Sequence, residues 1–419
     1  MRITGRTAVA LAAVLTTAAC SSPTDTSLQP QPVINELPRA LTSEEQLAAT
    51  ATTDFGLALF RAVNARTSRD SSLTLSPISA SLALGMLMNG SELETLDDVR
   101  RTLAFSDRQV YQVNAAYKAL IPLLVTLDPS VSMTFANAAW FDSSAAPSST
   151  FSQSIKDVFD ARVSMLRLTN PSSVTTINDW VSAATNARIK KMADSFSSVD
   201  IALLMNATYF KGRWRAQFDA AKTRSAEFHV TASETTQVPT MFNTTGLVRL
   251  GGRSTPDLVG EIPFGGDAFV MTIVAPPVGT LETFIDSLTP ARWRQLINTL
   301  PAATATLPIQ LPKLRLETTR LLNEDLKTLG MRRPFDHAQL NPMFATPSDQ
   351  RDVSRVLQKV FVDVNEEGAE AAAATSITIS VTSAALSALI VDRPFVFAIR
   401  ERLSGTILFI GKVVRPIAP

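Results

Sequence analysis

Two histidines and one cysteine are all that 419 residues offer to imidazole or thiol chemistry. His229 follows Phe228 in a strand-like stretch, and His337 follows Asp336 in a polar loop, so each reads as a surface or structural histidine. A single cysteine excludes a disulfide framework and a Cys/His zinc cluster. No Gly-rich phosphate loop occurs, no His-Glu-x-x-His, no Gly-x-Ser-x-Gly elbow and no Ser-x-x-Lys. The carboxylate pair Glu366-Glu367 lies in an extended segment, where neighbours point to opposite faces and cannot share one substrate atom. The expectation is a protein that is not an enzyme, with no catalytic residue, no cofactor and no metal.

The unusual chemistry belongs to the backbone. Val360–Val364 alternates as a strand does and runs into Asn365-Glu366-Glu367-Gly368. Next come Ala369, Glu370, Ala371, Ala372, Ala373, Ala374 and Thr375, then the β-branched alternation Ser376–Ser383. The alanines alone favour helix, whereas the Ser/Ile/Thr/Val stretch favours strand. An Ala-rich surface helix followed by an edge strand is one reading. The other is a connector able to enter a sheet: Gly368–Thr382 holds no proline and one charge, Glu370. As a strand, Ala369, Ala371, Ala373, Thr375 and Ile377 share one small, uncharged face, and Glu370 falls on the opposite, wettable one.

The elements around this segment are ordinary. Arg2 and Arg6 precede an apolar run, Thr7–Ala19, too short for a bilayer of ~30 Å but suited to a signal peptide. Its end, Thr17-Ala18-Ala19-Cys20, resembles a bacterial lipoprotein cleavage box, with Cys20 the lipidated residue; an ordinary secretory cleavage is the alternative. Residues 21–42, rich in Ser, Thr, Pro and Gln, read as a flexible tether. From 43 onward, Ser43-Glu44-Glu45-Gln46 is a capping-box pattern, and Ser76-Pro77 starts a helix that Gly90 stops. Residues 92–127 and Pro171–Met192 read as helical. Val131–Phe141, Ile201–Trp214, Ala268–Val274, Thr306–Glu317 and Val353–Val364 read as strands, and Phe395–Ile399 with Thr406–Val414 as a buried hairpin. Helices crowd the first half and strands the second, which implies one α+β domain over residues 43–419. With 39 Lys+Arg against 38 Asp+Glu, the chain carries no broad basic field for nucleic acid.

These residues in this order resemble the serpin family. Ser76-Pro77-Ile78-Ser79 is similar to the family's helix start under its central sheet, and Ile177-Asn178-Asp179-Trp180-Val181 to the helix crossing that sheet. Asn206–Trp214 resembles the sheet signature. Leu311-Pro312-Lys313-Leu314, Leu329-Gly330-Met331, the hinge Val360–Thr375 and Asp392-Arg393-Pro394-Phe395 follow in family order. The resemblance implies the serpin fold: a large central mixed sheet, further sheets, about nine helices and an exposed reactive loop at about 366–391. It also implies a suicide inhibitor of serine proteases. The target attacks the loop as substrate, an acyl-enzyme forms, and the cut loop inserts as a new strand. Fourteen steps from Gly368 to Thr382 at ~3.3 Å each span about 46 Å, enough to carry a tethered partner across such a domain.

Residue by residue, the resemblance places Glu366 and Lys313 as an ion pair at the top of the sheet and Trp214 as an aromatic plug beside them. Ser76, Ser79 and Asn206 fall where the sheet must part, and Gln358 where the family often has His, so Gln358 can bridge but not protonate. Small, uncharged Ala369 at the first inserting position keeps inhibition open. Counting from the hinge puts the scissile bond at Thr382-Ser383, with Val381-Thr382 and Ser383-Ala384 as alternatives. A small or β-branched residue there fits the shallow pockets of elastase-like or subtilisin-like enzymes, not trypsin-like ones. The single Lys118 in Val110–Leu124 gives no support there for a polyanion site of the heparin kind. The partners implied are a target serine protease in covalent complex and a membrane only through a lipid anchor; a monomer is expected. A body that binds a ligand or partner without trapping is the alternative.

Overall fold

The computed structural model describes residues 32–251, 256–348, 351–369 and 388–416. The first part of the chain forms α1 Ser43–Ala65, β1 Leu73–Leu75, α2 Pro77–Asn89, α3 Leu93–Thr102, α4 Val110–Thr126, β2 Val131–Asp142, α5 Ser149–Phe159 and β3 Arg162–Leu166. The middle forms α6 Pro171–Ala184, β4 Ala202–Arg213, β5 Arg224–His229, β6 Thr235–Gly251, β7 Leu258–Phe264, β8 Phe269–Ala275, α7 Leu281–Asp286, α8 Pro290–Ile297 and β9 Ala305–Pro312. The last part forms β10 Leu314–Leu321, α9 Asn323–Thr328, β11 Leu357–Val364, β12 Gly368–Ala369, β13 Leu389–Ile390, β14 Phe395–Glu401 and β15 Ile407–Val413.

Among the described residues three sheets carry the fold. The largest runs β1-β15-β14-β8-β7-β6-β9-β13, with β5 added on β6. The β14–β15 hairpin is buried throughout, as its unbroken apolar pattern requires. A four-stranded sheet, β12-β4-β2-β3, is mixed: β2 and β3 are parallel and the other pairs antiparallel. A two-stranded sheet pairs β10 with β11. Among the described residues no ladder joins β4 to β11, although both contribute to the walls of one slot. Among the described residues this is the α+β architecture, with nine helices, that the resemblance implied.

Local differences from the sequence reading have physical causes. The first helix is capped one residue early, by Thr42 with Glu45 in the box, because Arg39 also grips the Glu45 carboxylate with two hydrogen bonds of 2.7 Å. The expected tether, 21–42, is docked over its described part: Ile34 N–H donates to the Gly266 carbonyl at 2.7 Å, and Arg402 donates to the Ile34 carbonyl. The helical stretch 92–127 breaks between α3 and α4, where Ala104 has φ +61° and Phe105 is buried. The expected helix to Met192 stops at Ala184. Asn186 and Ala187 turn the chain back at φ +49° and +61°, and the Asn178 amide oxygen accepts the N–H groups of Met192 and Ala193. Ile189 and Met192 are buried by that return, so their apolar character imitates a helix period. Thr306–Glu317 is two strands broken at Lys313. Among the described residues no helix is long and apolar enough to cross a membrane.

α1 and α2 approach closely at Gly56, where a Cβ would lie 2.5 Å from the Pro77 Cβ. Alanine normally stabilises a helix interior by about 1 kcal/mol over glycine, but here the clash opposes it. Gly56→Ala is expected to be net destabilising, by about 1–3 kcal/mol. A lowered urea midpoint checks this, and a raised one would show that the helices can separate freely.

Candidate functional site

β11 ends at Val364, and the chain reverses within Asn365–Gly368. Asn365 N–H donates to the Gly368 carbonyl at 3.0 Å, Gly368 N–H to the Asn365 carbonyl at 3.2 Å, and the Asn365 side chain accepts from Glu367 N–H at 3.1 Å. Gly368 sits at φ +149°, and a Cβ there would lie 2.1 Å from the Gly212 carbonyl, so only glycine fits. The turn delivers Gly368 and Ala369 as β12, antiparallel to Arg213 and Gly212 at the end of β4.

Trp214 holds this turn from beside it. Its ring stacks on Phe264 at 4.4 Å and 11°, its indole N–H donates to the Asn365 carbonyl at 2.8 Å, and its backbone N–H donates to the Glu367 carbonyl at 2.6 Å. Phe218 N–H donates to the Glu366 carbonyl at 2.8 Å. The Glu366 carboxylate takes Lys313 Nζ at 3.0 Å and the Thr223 hydroxyl at 2.7 Å. Burial pushes that carboxyl up, but the Thr223 hydroxyl, its own backbone N–H and Lys313 outweigh burial and hold it below the ordinary range. The buried Glu367 carboxylate keeps one oxygen without a hydrogen-bond partner.

Beneath the turn lies the slot. Thr208 and Phe210 of β4 and Phe361 and Val362 of β11 form its walls, Phe409 lies behind, and Ala369 closes the top. Towards the starts of the two strands a second cavity opens, lined by Ile201 and Leu204 on one side, Val353 and Val356 on the other, and Leu84 and Leu87 of α2. A polar seam serves the same two strands. The Gln358 amide accepts Ser76 N–H at 3.2 Å and donates to the Ser76 carbonyl at 2.8 Å, bonding both backbone groups of the α2 cap. Ser76 Oγ donates to the Leu408 carbonyl at 2.8 Å and accepts Ser79 N–H at 3.3 Å. On β4, the Asn206 amide donates to Asn137 of β2 at 2.8 Å and accepts the Thr208 hydroxyl at 2.7 Å. At the base, Arg355 and Asp200 pair at 2.5 Å, and Ser354 Oγ donates to the same carboxylate at 2.7 Å. That clasp ties the lead-in of β11 to the lead-in of β4.

The candidate residues therefore form two groups. Glu366, Glu367, Gly368, Ala369, Trp214 and Lys313 meet at the turn; Ser76, Ser79 and Gln358 meet at the α2 cap, and Asn206 is bound apart from them, to Asn137 and Thr208. The loop was expected to leave the body at about 366, but Gly368 and Ala369 already pair in the sheet, and Ala369 is 5% exposed. The cause is the missing Cβ at Gly368 and the small one at Ala369. Glu370, Ala371, Ala372, Ala373, Ala374, Thr375, Val381, Thr382, Ser383, Ala384 and Cys20 lie outside the described residues. Sequence reasoning missed Asn137, Thr223, Phe264, Asp200 and Arg355. Only Asn137 gave a signal, as a polar residue interrupting the apolar run of β2.

The slot, the hinge entering it and the seam below define a class of protein. A family model described as "Serpin (serine protease inhibitor)" matches residues 50–416. The chain belongs to the serpin family. It is 32% identical over 348 residues to "Serine protease inhibitor 42Dd" of Drosophila melanogaster, covering 82% of this chain and 91% of that one. Neuroserpin of Gallus gallus is 31% identical, over 83% and 87% of the two chains, and corticosteroid-binding globulin of Homo sapiens 27% identical, over 88% and 90%. Among solved structures, the native state of the thermophilic serpin tengpin matches at TM-score 0.78 and 26% identity, over 90% of this chain and 95% of that one. Human thyroxine-binding globulin with its hormone matches at TM-score 0.80 and 23% identity, over 90% and 100%, a likeness of fold.

A carboxyl whose folded pKa is depressed contributes stability at pH above its unfolded value and loses it as pH falls through the folded one. The Glu366 contribution is thus complete above about pH 5 and lost on acidification below the ordinary value of 4.5. Glu366→Gln is expected to flatten the stability-against-pH profile on the acid side of that ordinary value. Parallel profiles in chemical denaturation would remove the latch role.

Proposed function

We propose that the protein is a suicide inhibitor of serine proteases that works by inserting its cleaved loop between β4 and β11. One observation carries this reading: the two strands line a common slot without a ladder between them, and Ala369 already stands at its top as the first paired residue of a new strand. A target serine attacks the scissile carbonyl. The bond to the following nitrogen breaks, the new amino terminus leaves, and the carbonyl remains esterified to the protease. Insertion of the residues after Ala369 then carries that ester away before water reaches it. About ten new backbone hydrogen bonds at ~0.5–1.5 kcal/mol each supply on the order of 10 kcal/mol, and burying Ile377 adds ~1.5–3 kcal/mol. The uncleaved state persists kinetically.

The scissile bond is proposed at Thr382-Ser383, with Val381 and Ala384 marking its one-residue alternatives, and the targets as elastase-like or subtilisin-like. The leader with Cys20 supports export and a lipid anchor to a bacterial envelope, the chain acting as a monomer. The relative named for binding a corticosteroid and the structure holding thyroxine favour a second reading, a body that binds without trapping. The hinge separates them, since trapping needs small, uncharged residues where Ala369 enters.

Subtilisin or elastase is expected to give an SDS-resistant complex and a C-terminal fragment beginning near Ser383. Cleavage that leaves the protease fully active would favour the second reading. Ala369→Arg is expected to abolish trapping while cleavage continues, because a guanidinium cannot enter a site 5% exposed between Gly212 and the top of the slot. Trapping at an unchanged rate would remove the insertion mechanism.

A further inference from the structure

The lower cavity between β4 and β11 differs in kind from the slot above it. It lies where α2 meets the lead-ins of both strands and the Leu340–Phe344 segment. Leu84 and Leu87 form one wall, Leu204 a second, Met343 a third and Val353 with Val356 a fourth. About 40 Å³ of it is open to the centre of a water-sized molecule, against the roughly 10–15 Å³ that one water needs. The space suits a short aliphatic group, and nothing larger.

Arg351, Asp352, Ser354 and Arg355 are its charged and hydroxyl-bearing walls. Arg351 donates to the Thr346 carbonyl at 2.6 Å and lies over the Phe344 ring. The Asp352 carboxylate accepts Ala338 N–H at 2.7 Å, and Ser354 Oγ donates to Asp200 at 2.7 Å. Arg355 gives one terminal nitrogen to Asp200 at 2.5 Å and to the Ser195 carbonyl at 3.2 Å, beside the Phe196 ring. Its Nε–H is buried without an acceptor among the described residues. A ligand that supplies that acceptor removes an unfavourable unpaired donor. Charge is balanced, because Arg351 and Arg355 face Asp352 in the wall and Asp200 behind it. No net field is left to offset the desolvation of an ionised ligand.

We infer that this cavity binds a short, branched aliphatic molecule ending in a neutral carbonyl, with the oxygen on Arg355 Nε and the chain among Leu84, Leu87, Leu204 and Val356. Apolar walls with one convergent polar group are the common make-up of small-molecule sites. The pairing at the top of the slot shows what such a ligand opposes. Stepping the Gly368–Arg213 and Gly368–Asn365 pairs nine residues along brings position 377 opposite Leu204 and Val356. Ligand and the Ile377 side chain of a cut loop therefore compete for the same walls. That competition rests on the proposed trapping mechanism; the binding does not.

The test titrates the intact, uncleaved protein with 4-methylpentan-2-one, followed by ligand-observed NMR, beside 4-methylpentanoate as its charged counterpart. The ketone is expected to bind with a Kd of about 1 mM or tighter, and the carboxylate about tenfold more weakly. Arg355→Lys keeps a cation beside Asp200 but removes the Nε–H, and is expected to weaken the ketone about three- to tenfold. Ala83→Phe, which fills the cavity from α2, is expected to abolish binding while the urea midpoint shows a folded protein. No ketone binding to the parent protein, tighter binding of the carboxylate, or full affinity in either variant overturns the site. Ketone binding that leaves the rate of complex formation with subtilisin unchanged supports the site and removes only the competition. Ketone binding in a protein that forms no complex supports the site and removes the trapping reading instead.

Discussion

The edges of β4 and β11 contribute to one slot and are not paired with each other. An open sheet edge presents rows of backbone donors and acceptors, and proteins ordinarily cover it or make it too short to recruit a strand. Here neither edge is short. Each is bonded on its far side, β4 to β2 and β11 to β10, and of the described residues only Gly368 and Ala369 pair on the gap side, with Arg213 and Gly212 of β4. On the proposed mechanism this gap takes one strand, and the local contacts around it limit when it is filled.

Three devices act at different heights. At the top, Trp214 and the Glu366–Lys313 pair hold the Asn365–Gly368 turn, so the hinge enters by two residues. In the middle, Gln358 grips both backbone groups of Ser76, tying β11 to the helix beneath it, while Asn206 is bound to Asn137 on its own side. At the base, the Asp200–Arg355 pair bridges the two lead-ins. The middle device is neutral, so its strength does not vary across the range in which histidine titrates. The top and base devices are carboxylates held in their charged form, Asp200 by the N–H of Ser197, the Ser354 hydroxyl and Arg355 against the upward push of burial. The closure is therefore complete near neutrality and weakens in acid.

Much of this was legible in the sequence because it depends on local chemistry. Ser76-Pro77 and Gly90 bound α2 as capping rules require. The alternation of Leu357–Val364 assigns Gln358, Val360, Val362 and Val364 to one buried face, and that parity already puts Gln358 inward. The connector after α6 misled because Ile189 and Met192 continue a helical spacing, yet they are buried by a turn that two positive φ values create. Periodicity reports burial, and burial can be reached without the helix. The Asp200–Arg355 clasp had no signal, since residues 155 positions apart become neighbours only when both lead-ins converge.

By itself the sequence determined the composition of the hinge: Gly368, then residues small enough to be buried, with Glu370 on the wettable parity. Such properties reside in single side chains and in period-two alternation, which survive without knowledge of the fold. Only the tertiary structure decided that the hinge begins inside the sheet, and that Trp214 holds it through backbone carbonyls that no residue type announces. It also decided that β4 and β11 stop short of pairing. Strand pairing is a relation between distant backbones, and a gap between two strands leaves no trace in either of them.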